Sequence, residues 1–372
     1  MATLLLTGDV MIGRGIDQIL PNPLDPILYE SFMTSARGYV RLAETRNGPI
    51  PRNSSFDYIW GDALETLRQA DLSVINLETA LTRSRKAMPG KPIHYRCHPE
   101  NAPCLSVASV DCCVLANNHV LDWGEEGLLE TVETLERAGI PAPGAGRNLG
   151  EAEAPAILPL ANGGRVLVHA VGSPSAGVPS SWAAGRTRPG VSLLDDYQHG
   201  FLRLASQIAA HKKPRDIAIV SIHWGSNWGY DIPEADRKLA HLLIDRAGVD
   251  IVHGHSSHHP RAAELYKGKP ILFGCGDFLN DYEGISGHEE YRSHLVLAYN
   301  LSLGPGERDW KVRMLPFAIK RFRLHHADAR QAEWLRARMD RECRRFGGLV
   351  QLEVPLGQAK SYALRLSSQS TI

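Results

Sequence analysis

The chain opens on an apolar run, Leu4 to Leu6, that breaks at Thr7-Gly8-Asp9, and the same arrangement recurs along the sequence. Residues 2–8, Leu72–Leu77, Val110–Leu115, Arg165–Val171, Ile217–Ile222, Val249–Val252 and Pro270–Phe273 are short, apolar and closed by turn residues, which predicts buried strands. Between them apolar residues recur at helical spacing. Asp57–Ala70 sets Ile59, Ala63, Leu64 and Leu67 on one face; Glu125–Ala138 does so with Leu128, Leu129, Val132 and Leu135 before Gly139 stops it. Pro233–Ala247 predicts a further helix, and Ala327–Phe346 a strongly charged one with Trp334, Leu335 and Met339 toward the core. Residues 20–55, rich in Pro, Asn, Ser and Gly, are expected to form a long irregular insertion.

Strand, polar loop and helix in alternation predict an α/β fold, with a parallel or mixed sheet covered by helices and functional side chains at the carboxyl ends of the strands. The pattern changes near residue 305, so the expected organisation is a main domain over 1–305 and a C-terminal helical and strand appendage over 306–372.

Composition narrows the function classes. At 372 residues the chain suffices for one large domain or two smaller ones. Lys+Arg and Asp+Glu balance at 41 each, which argues against a nucleic-acid footprint or a polybasic membrane patch. No apolar run approaches a membrane span, and no signal-peptide core precedes Gly8. The six cysteines lack the spacing of a disulfide framework; Cys112 and Cys113 read as core residues and Cys275, between two glycines, as a packing residue. A reduced, cytoplasmic setting is the expectation.

The candidate chemistry lies at the strand ends. Five of them carry Asp9; Glu78; Asn118 with His119; His223; and the group His253, His255, His258 with Asp277. Any one of these is more often a turn or cap residue than a functional one. Five in succession point to a metal or acid/base site. His253, directly after its strand, and His259, before Pro260, rank lower, as packed histidines. Trp224 and Trp228 flank His223 as core aromatics or as the wall of an apolar pocket. Arg14 is a candidate for a bidentate grip on a substrate carboxylate or phosphate, against the plain reading of an exposed loop arginine.

Gly8-Asp9-Val-Met-Ile-Gly-Arg14, Asn76-Leu-Glu78, Ala116-Asn-Asn-His119 with Asp122, His223-Trp-Gly, His253-Gly-His-Ser-Ser-His258 and Gly276-Asp-Phe-Leu-Asn-Asp281 together resemble the CapA family, named for poly-γ-glutamate capsule synthesis. That family belongs to the calcineurin-like metallophosphoesterase superfamily, and the resemblance spans roughly residues 3–300. It implies the calcineurin-like four-layer fold, a mixed β-sandwich flanked by helices, with a metal site at the strand ends. Phosphoesterases of the superfamily open with Asp-x-His and carry a metal-bridging Asp in their second motif. Here Asp9 is followed by Val10 and Met11, and the second motif reads Asn76-Leu77-Glu78. Two metals about 3.5–4 Å apart need a shared carboxylate, so one ion is the expectation.

In the reading that the resemblance supports, Asp9, Glu78 and Asn118, with His223 and His253, hold a single divalent ion. Oxygen donors favour Ca²⁺, Mg²⁺ or Mn²⁺, whereas ligation mostly by histidine would favour Zn²⁺, Mn²⁺ or Fe. His119 with Asp122, and His255 or His258 with Asp277, are candidate acid/base pairs; His294 is an outside candidate for a second base, and Arg14 or Arg292 for a carboxylate. The substrate is expected to be a peptide. A CapA-like branch epimerises peptides in lasso-peptide tailoring, so Cα epimerisation is the first expectation, a metal-dependent hydrolase of a peptide, γ-glutamyl amide or phosphoester the second, and a non-catalytic component of capsule-polymer synthesis the third.

Overall fold

The computed structural model describes residues 2–161, 163–304, 309–353 and 361–368. Its strands in chain order are β1 (Ala2–Val10), β2 (Leu72–Leu77), β3 (Ala80–Leu81), β4 (Arg96–Cys97), β5 (Cys112–Val114), β6 (Ala145–Gly146), β7 (Ala156–Pro159), β8 (Arg165–Gly172), β9 (Gly190–Val191) and β10 (Ile217–His223). There follow β11 (Ile251–His255), β12 (Ala263–Tyr266), β13 (Lys269–Leu272), β14 (Asp277–Leu279), β15 (Leu295–Leu303), β16 (Lys311–Ile319), β17 (Leu324–His326), β18 (Gly348–Glu353) and β19 (Ala363–Ser368).

They form a nine-stranded sheet, ordered β18-β19-β16-β15-β1-β2-β5 with β14 beside β1 and β17 beside β16, and a six-stranded sheet ordered β12-β13-β11-β10-β8-β7. Each is mixed: β1, β2 and β5 run parallel, as do β8, β10, β11 and β13, while β15, β16, β19 and β18 are antiparallel. Leu4, Leu6, Val74 and Val114 of the first sheet share one core with Val168, Ile219 and Ile251 of the second. On its other face the first sheet sends Leu5, Ile75 and Cys113 against Trp60, Leu128 and Leu135. Leu204, Ile208, Leu239 and Leu243, from helices Tyr197–His211 and Glu234–Arg246, join the core of the six-stranded sheet. Strand pleat and helical period thus produce the calcineurin-like sandwich of mixed sheets flanked by helices.

Three elements differ from the sequence expectations. Residues 20–55 contain a 12-residue helix, Ala36–Asn47, whose buried apolar face is only Ala36, Tyr39, Val40 and Ala43 and which stops at Gly48 (φ 86°). Asp57–Ala70 breaks at Gly61 (φ 45°) into a 3₁₀ turn, Tyr58–Ala63, and a short helix, Leu64–Gln69. Helix Tyr197–His211, capped by Asp196 accepting from the His199 N–H at 2.7 Å, was hidden by polar and small residues in its first turns. The charged helix forms over Ala329–Arg344, opened by an Asp328–Gln331 capping box and buried through Leu335 and Met339. The expected boundary at 305–306 lies outside the described residues; beyond it, β16 to β19 continue the nine-stranded sheet. Among the described residues no helix is long and apolar enough to cross a membrane.

Candidate metal centre at the strand ends

Register explains which residues meet. In the parallel pair β10–β11, His223 lies opposite His255 and Ser221 opposite His253, so the period of two puts all four on one face. In β1, Asp9 lies opposite Asn76 on one side and Asp277 on the other. That approach requires Gly8, because a Cβ there would sit 1.7 Å from the Gly276 carbonyl oxygen. Gly254 has a similar role: a Cβ would lie 2.6 Å from the Trp224 indole nitrogen and from two carbonyl oxygens.

Asp9, His223 and His255 each offer a ligand atom within 4.8 Å of the others, and all three are buried. His223 and His255 bring their Nδ1 atoms to 2.8 Å, and His255 Nδ1 stands 3.8 Å from Asp9 Oδ1. His223 Nε2 lies 3.2 Å from Asn118 Oδ1 and 3.9 Å from Glu78 Oε1. Asn76 donates to Asp9 Oδ1 at 2.7 Å, and Asn117 donates to Asn76 Oδ1 at 3.0 Å. Two His–Asp pairs flank this group. His119 Nδ1 is 2.7 Å from Asp122 Oδ2 while its Nε2 stands 3.6 Å from Glu78 Oε1. His258 Nδ1 is 2.9 Å from Asp277 Oδ1, whose other oxygen accepts from Asn280 at 2.8 Å.

The charges are crowded. Burial, then the neighbouring Asp277 charge, raises the Asp9 carboxyl to about 7; burial and Asp9 push Glu78 well above the usual range. Glu78 Oε2 is buried with no hydrogen-bond partner. Burial holds His223 and His255 well below the ordinary histidine value, so both rings are neutral with a lone pair to offer. His119 falls to about 4 because burial outweighs Asp122. Asp122, which burial would raise, is held low by His119 and by Lys91. Burial would also lower His258, but Asp277 reverses that and raises it. Two adjacent buried carboxyls, an unsatisfied oxygen and two neutral imidazoles fit a divalent cation: buried charge demands compensation, and a cation supplies it.

Several expectations are corrected. His255 stands with Asp9 and His223, a group that could hold a metal, rather than against Asp277; among the described histidines only His258 pairs with that carboxylate. His253 is not a ligand: its Nε2 meets the Thr7 carbonyl at 2.8 Å and its Nδ1 meets Ser221 Oγ at 3.0 Å, one pleat below the cluster. Arg14, expected to face a substrate, is engaged within the fold. Its buried guanidinium forks onto Asp281, meets Glu30 Oε1 at 3.2 Å and the Tyr39 hydroxyl at 3.0 Å, and lies over the Tyr39 ring. Trp224 is core, donating to the Phe273 carbonyl at 2.9 Å and stacked on that ring. Trp228 stays at the rim, 5.2 Å from the His258 ring and stacked on His288 at 3.9 Å. Arg292 is exposed with its guanidinium over Trp334, and His294 is exposed with its carbonyl accepting from the Ile319 N–H; among the described residues no hydrogen bond or ion pair joins either side chain to the cluster.

The sequence reading missed Lys91. Its ammonium reaches Asp122 and the Asn118 carbonyl and stands 3.0 Å from His119 Nδ1. It sits in an irregular loop between strands, so no periodicity marked it. Tyr95, whose N–H donates to Asp122 Oδ2 at 2.6 Å and whose ring meets His119 edge-on at 4.5 Å, was equally unmarked.

Fold and site together define a calcineurin-like α/β protein with a buried His/Asp cluster at its strand ends. The chain belongs to the family described as bacterial capsule synthesis protein, PGA_cap, whose model matches residues 3–282. It is 49% identical over 352 residues to a probable polyglutamine synthesis accessory protein of Mycobacterium tuberculosis, covering 93% of this chain and 92% of that one. It is 28% identical over 295 residues to the PGA biosynthesis protein CapA of Bacillus subtilis (79% of this chain, 66% of that one). With the capsule biosynthesis protein CapA of Bacillus anthracis the identity is 25% over 286 residues, 75% of this chain and 60% of that one.

Proposed function

We propose that this chain is an accessory protein in the synthesis of a glutamate or glutamine polymer, working beside other components of that synthesis, and that it cleaves the polymer's amide chain at a single divalent ion. The names of the relatives support the setting, the Mycobacterium protein most of all because its match runs nearly end to end. The observation that carries the chemistry is the unpartnered Glu78 oxygen beside Asp9, His223 and His255.

Asp9, Glu78, His223 and His255, with Asn118 adjoining, would hold the ion; a mixed nitrogen and oxygen set suits Mn²⁺, Zn²⁺ or Fe better than Ca²⁺ or Mg²⁺. When bound, such an ion polarises an amide carbonyl and acidifies water. His119, oriented through Nδ1 by Asp122, accepts or returns a proton at Nε2. His258, held by Asp277 on the other flank, is the complementary donor.

Those two His–Asp pairs also favour a second reading, Cα epimerisation, which needs a base and an acid on opposite faces of one carbon. Mn²⁺-loaded protein incubated in D₂O with γ-glutamate and with α-glutamine oligomers separates the two. Shortened chains support hydrolysis; Cα deuterium without cleavage replaces it with epimerisation. Tight binding with neither outcome leaves the accessory role and removes the enzymatic one. Absence of binding to every oligomer sinks the proposal.

A further inference from the structure

Outside the strand-end cluster, the loop that carries Lys91 and Tyr95 closes on a second concavity. It is open to solvent, has a volume of about 250 Å³, and is lined by Pro23, Leu24, Asp25, Arg83, Arg85, Arg96 and His98. Its arginines are not equivalent. Arg83 is spent on Glu100 at 2.8 Å and Glu130 at 3.2 Å. Arg85, with a side chain 81% exposed, has only a loose contact with Asp25 at 4.0 Å.

Arg96 is the unusual one. It is buried, and its guanidinium lies 3.9 Å over the Trp123 ring. Its hydrogen bonds go to two backbone carbonyls, Ser84 at 2.6 Å and Asp25 at 3.5 Å. Among the described residues no carboxylate forms an ion pair with it; Asp17 and Asp25 act on it only through space, and burial still lowers its proton affinity. Buried charges are ordinarily paired. Its guanidinium keeps N–H donors without a protein partner on the wall of an open pocket, none of them sealed from solvent, so an oxyanion entering there can reach them.

We infer that this pocket is an oxyanion subsite, distinct from the metal cluster, in which Arg96 anchors a carboxylate or phosphate group and Arg85 supplies a second positive charge from the rim. The guanidinium fork matches either oxyanion bidentately. Arg96 follows Tyr95, which packs on His119, so the segment that carries the subsite also borders the reaction site, with the two side chains directed to different partners, Trp123 and His119. A polymer carrying free carboxylates is the occupant that the function proposed above would bring there; this polymer assignment rests on that function, whereas the oxyanion subsite does not.

The test is calorimetric titration of chelator-treated protein, so that no metal binds the anion, at low salt, with inorganic phosphate and separately with a γ-glutamate oligomer. One saturable site is expected. Arg85 is an exposed rim charge, so Arg85→Ser should weaken binding several-fold, and more so at low salt. Arg96→Lys, which keeps the charge and loses the fork, should weaken it comparably, and Arg96→Gln should abolish it. Circular dichroism checks that each variant is folded; if Arg96→Gln is not, Arg85→Ser and Arg96→Lys decide. Competition between phosphate and oligomer assigns both to this pocket, and phosphate binding without oligomer binding assigns it to free phosphate. No saturable binding of either anion, or unchanged binding in Arg85→Ser and Arg96→Lys, overturns the inference.

Discussion

His223 and His255 face each other across β10 and β11 with their Nδ1 atoms 2.8 Å apart, a separation that leaves room for at most one proton between them. The far nitrogen of His255 meets Ser221 Oγ at 2.8 Å, so Ser221 can hold the tautomer that leaves Nδ1 free to ligate. The protein is therefore expected to bind one divalent ion, counted by metal analysis and calorimetry. Asp9→Asn or His255→Ala should remove tight binding. Ser221→Ala should weaken it about 10–100-fold, the usual cost of losing a partner behind a ligand. A second tightly bound ion would overturn the single-ion reading.

Asp9 should contribute stability to the metal-free fold that is lost as pH rises from about 4 to about 7, opposite in sign to the buried neutral histidines, whose contribution grows as pH rises towards the ordinary histidine value. Asp9 is raised from 3.8 to about 7, so across that window the folded chain holds a proton that the unfolded chain has released. At this site the unfolded state binds fewer protons, so the contribution of Asp9 to the stability slope is negative, and Asp9→Asn should remove it. A bound cation replaces that proton, so the gain in melting temperature on adding Mn²⁺ should be greatest at and above pH 7. Thermal melts at pH 5 and pH 7.5, with and without metal, check this; an equal metal-induced shift at both would contradict it.

Arg14 illustrates what the sequence could not disclose. Its position after Gly8-Asp9 pointed to ligand binding, yet its partners Glu30, Tyr39 and Asp281 are far apart in the chain. Strands and strand ends were legible because burial on both faces writes continuous apolar runs, and the polar residues that interrupt them form the site. The roles of the histidines were not legible. His253 and His255 share a face by spacing, but only the approach of Thr7 to one and Asp9 to the other separates a packed ring from a ligand. Lys91 belongs to the same class of miss: a single loop residue whose meaning lies in a contact 31 positions away.

For Arg14 the expected loss is stability. Arg14→Ala leaves Asp281 and Glu30 buried without their cation, a change that costs about 3–5 kcal/mol. Denaturant unfolding measures it. Weaker oligomer binding at unchanged stability would restore the substrate role instead.

Trp224→Ala should likewise act on the fold, at roughly 3–5 kcal/mol, because the indole fills core space against Phe273 and its N–H satisfies a buried carbonyl. Trp228→Ala, at the rim beside His258, should leave unfolding nearly unchanged and weaken oligomer binding. The two tryptophans thus separate packing from recognition within one five-residue segment, and equal effects of both substitutions on binding would refute that division.

The decisive comparison concerns His119, Asp122 and Lys91. If His119 moves the proton, His119→Ala should reduce kcat for oligomer cleavage by about 10²–10⁴ with little change in KM, since general acid–base catalysis contributes on that scale and acts in the transition state. Asp122→Asn keeps the shape of the pair but removes the charge that orients the ring, so it should lower kcat as well. Lys91→Met should behave differently. It removes the cation beside Asp122 and His119 and leaves Asp122 with His119 and the Tyr95 N–H, which favours a protonated His119 and should move the pH dependence of kcat upward. A Lys91→Met enzyme with a reduced rate but an unshifted pH profile would mean that Lys91 only holds its loop in place.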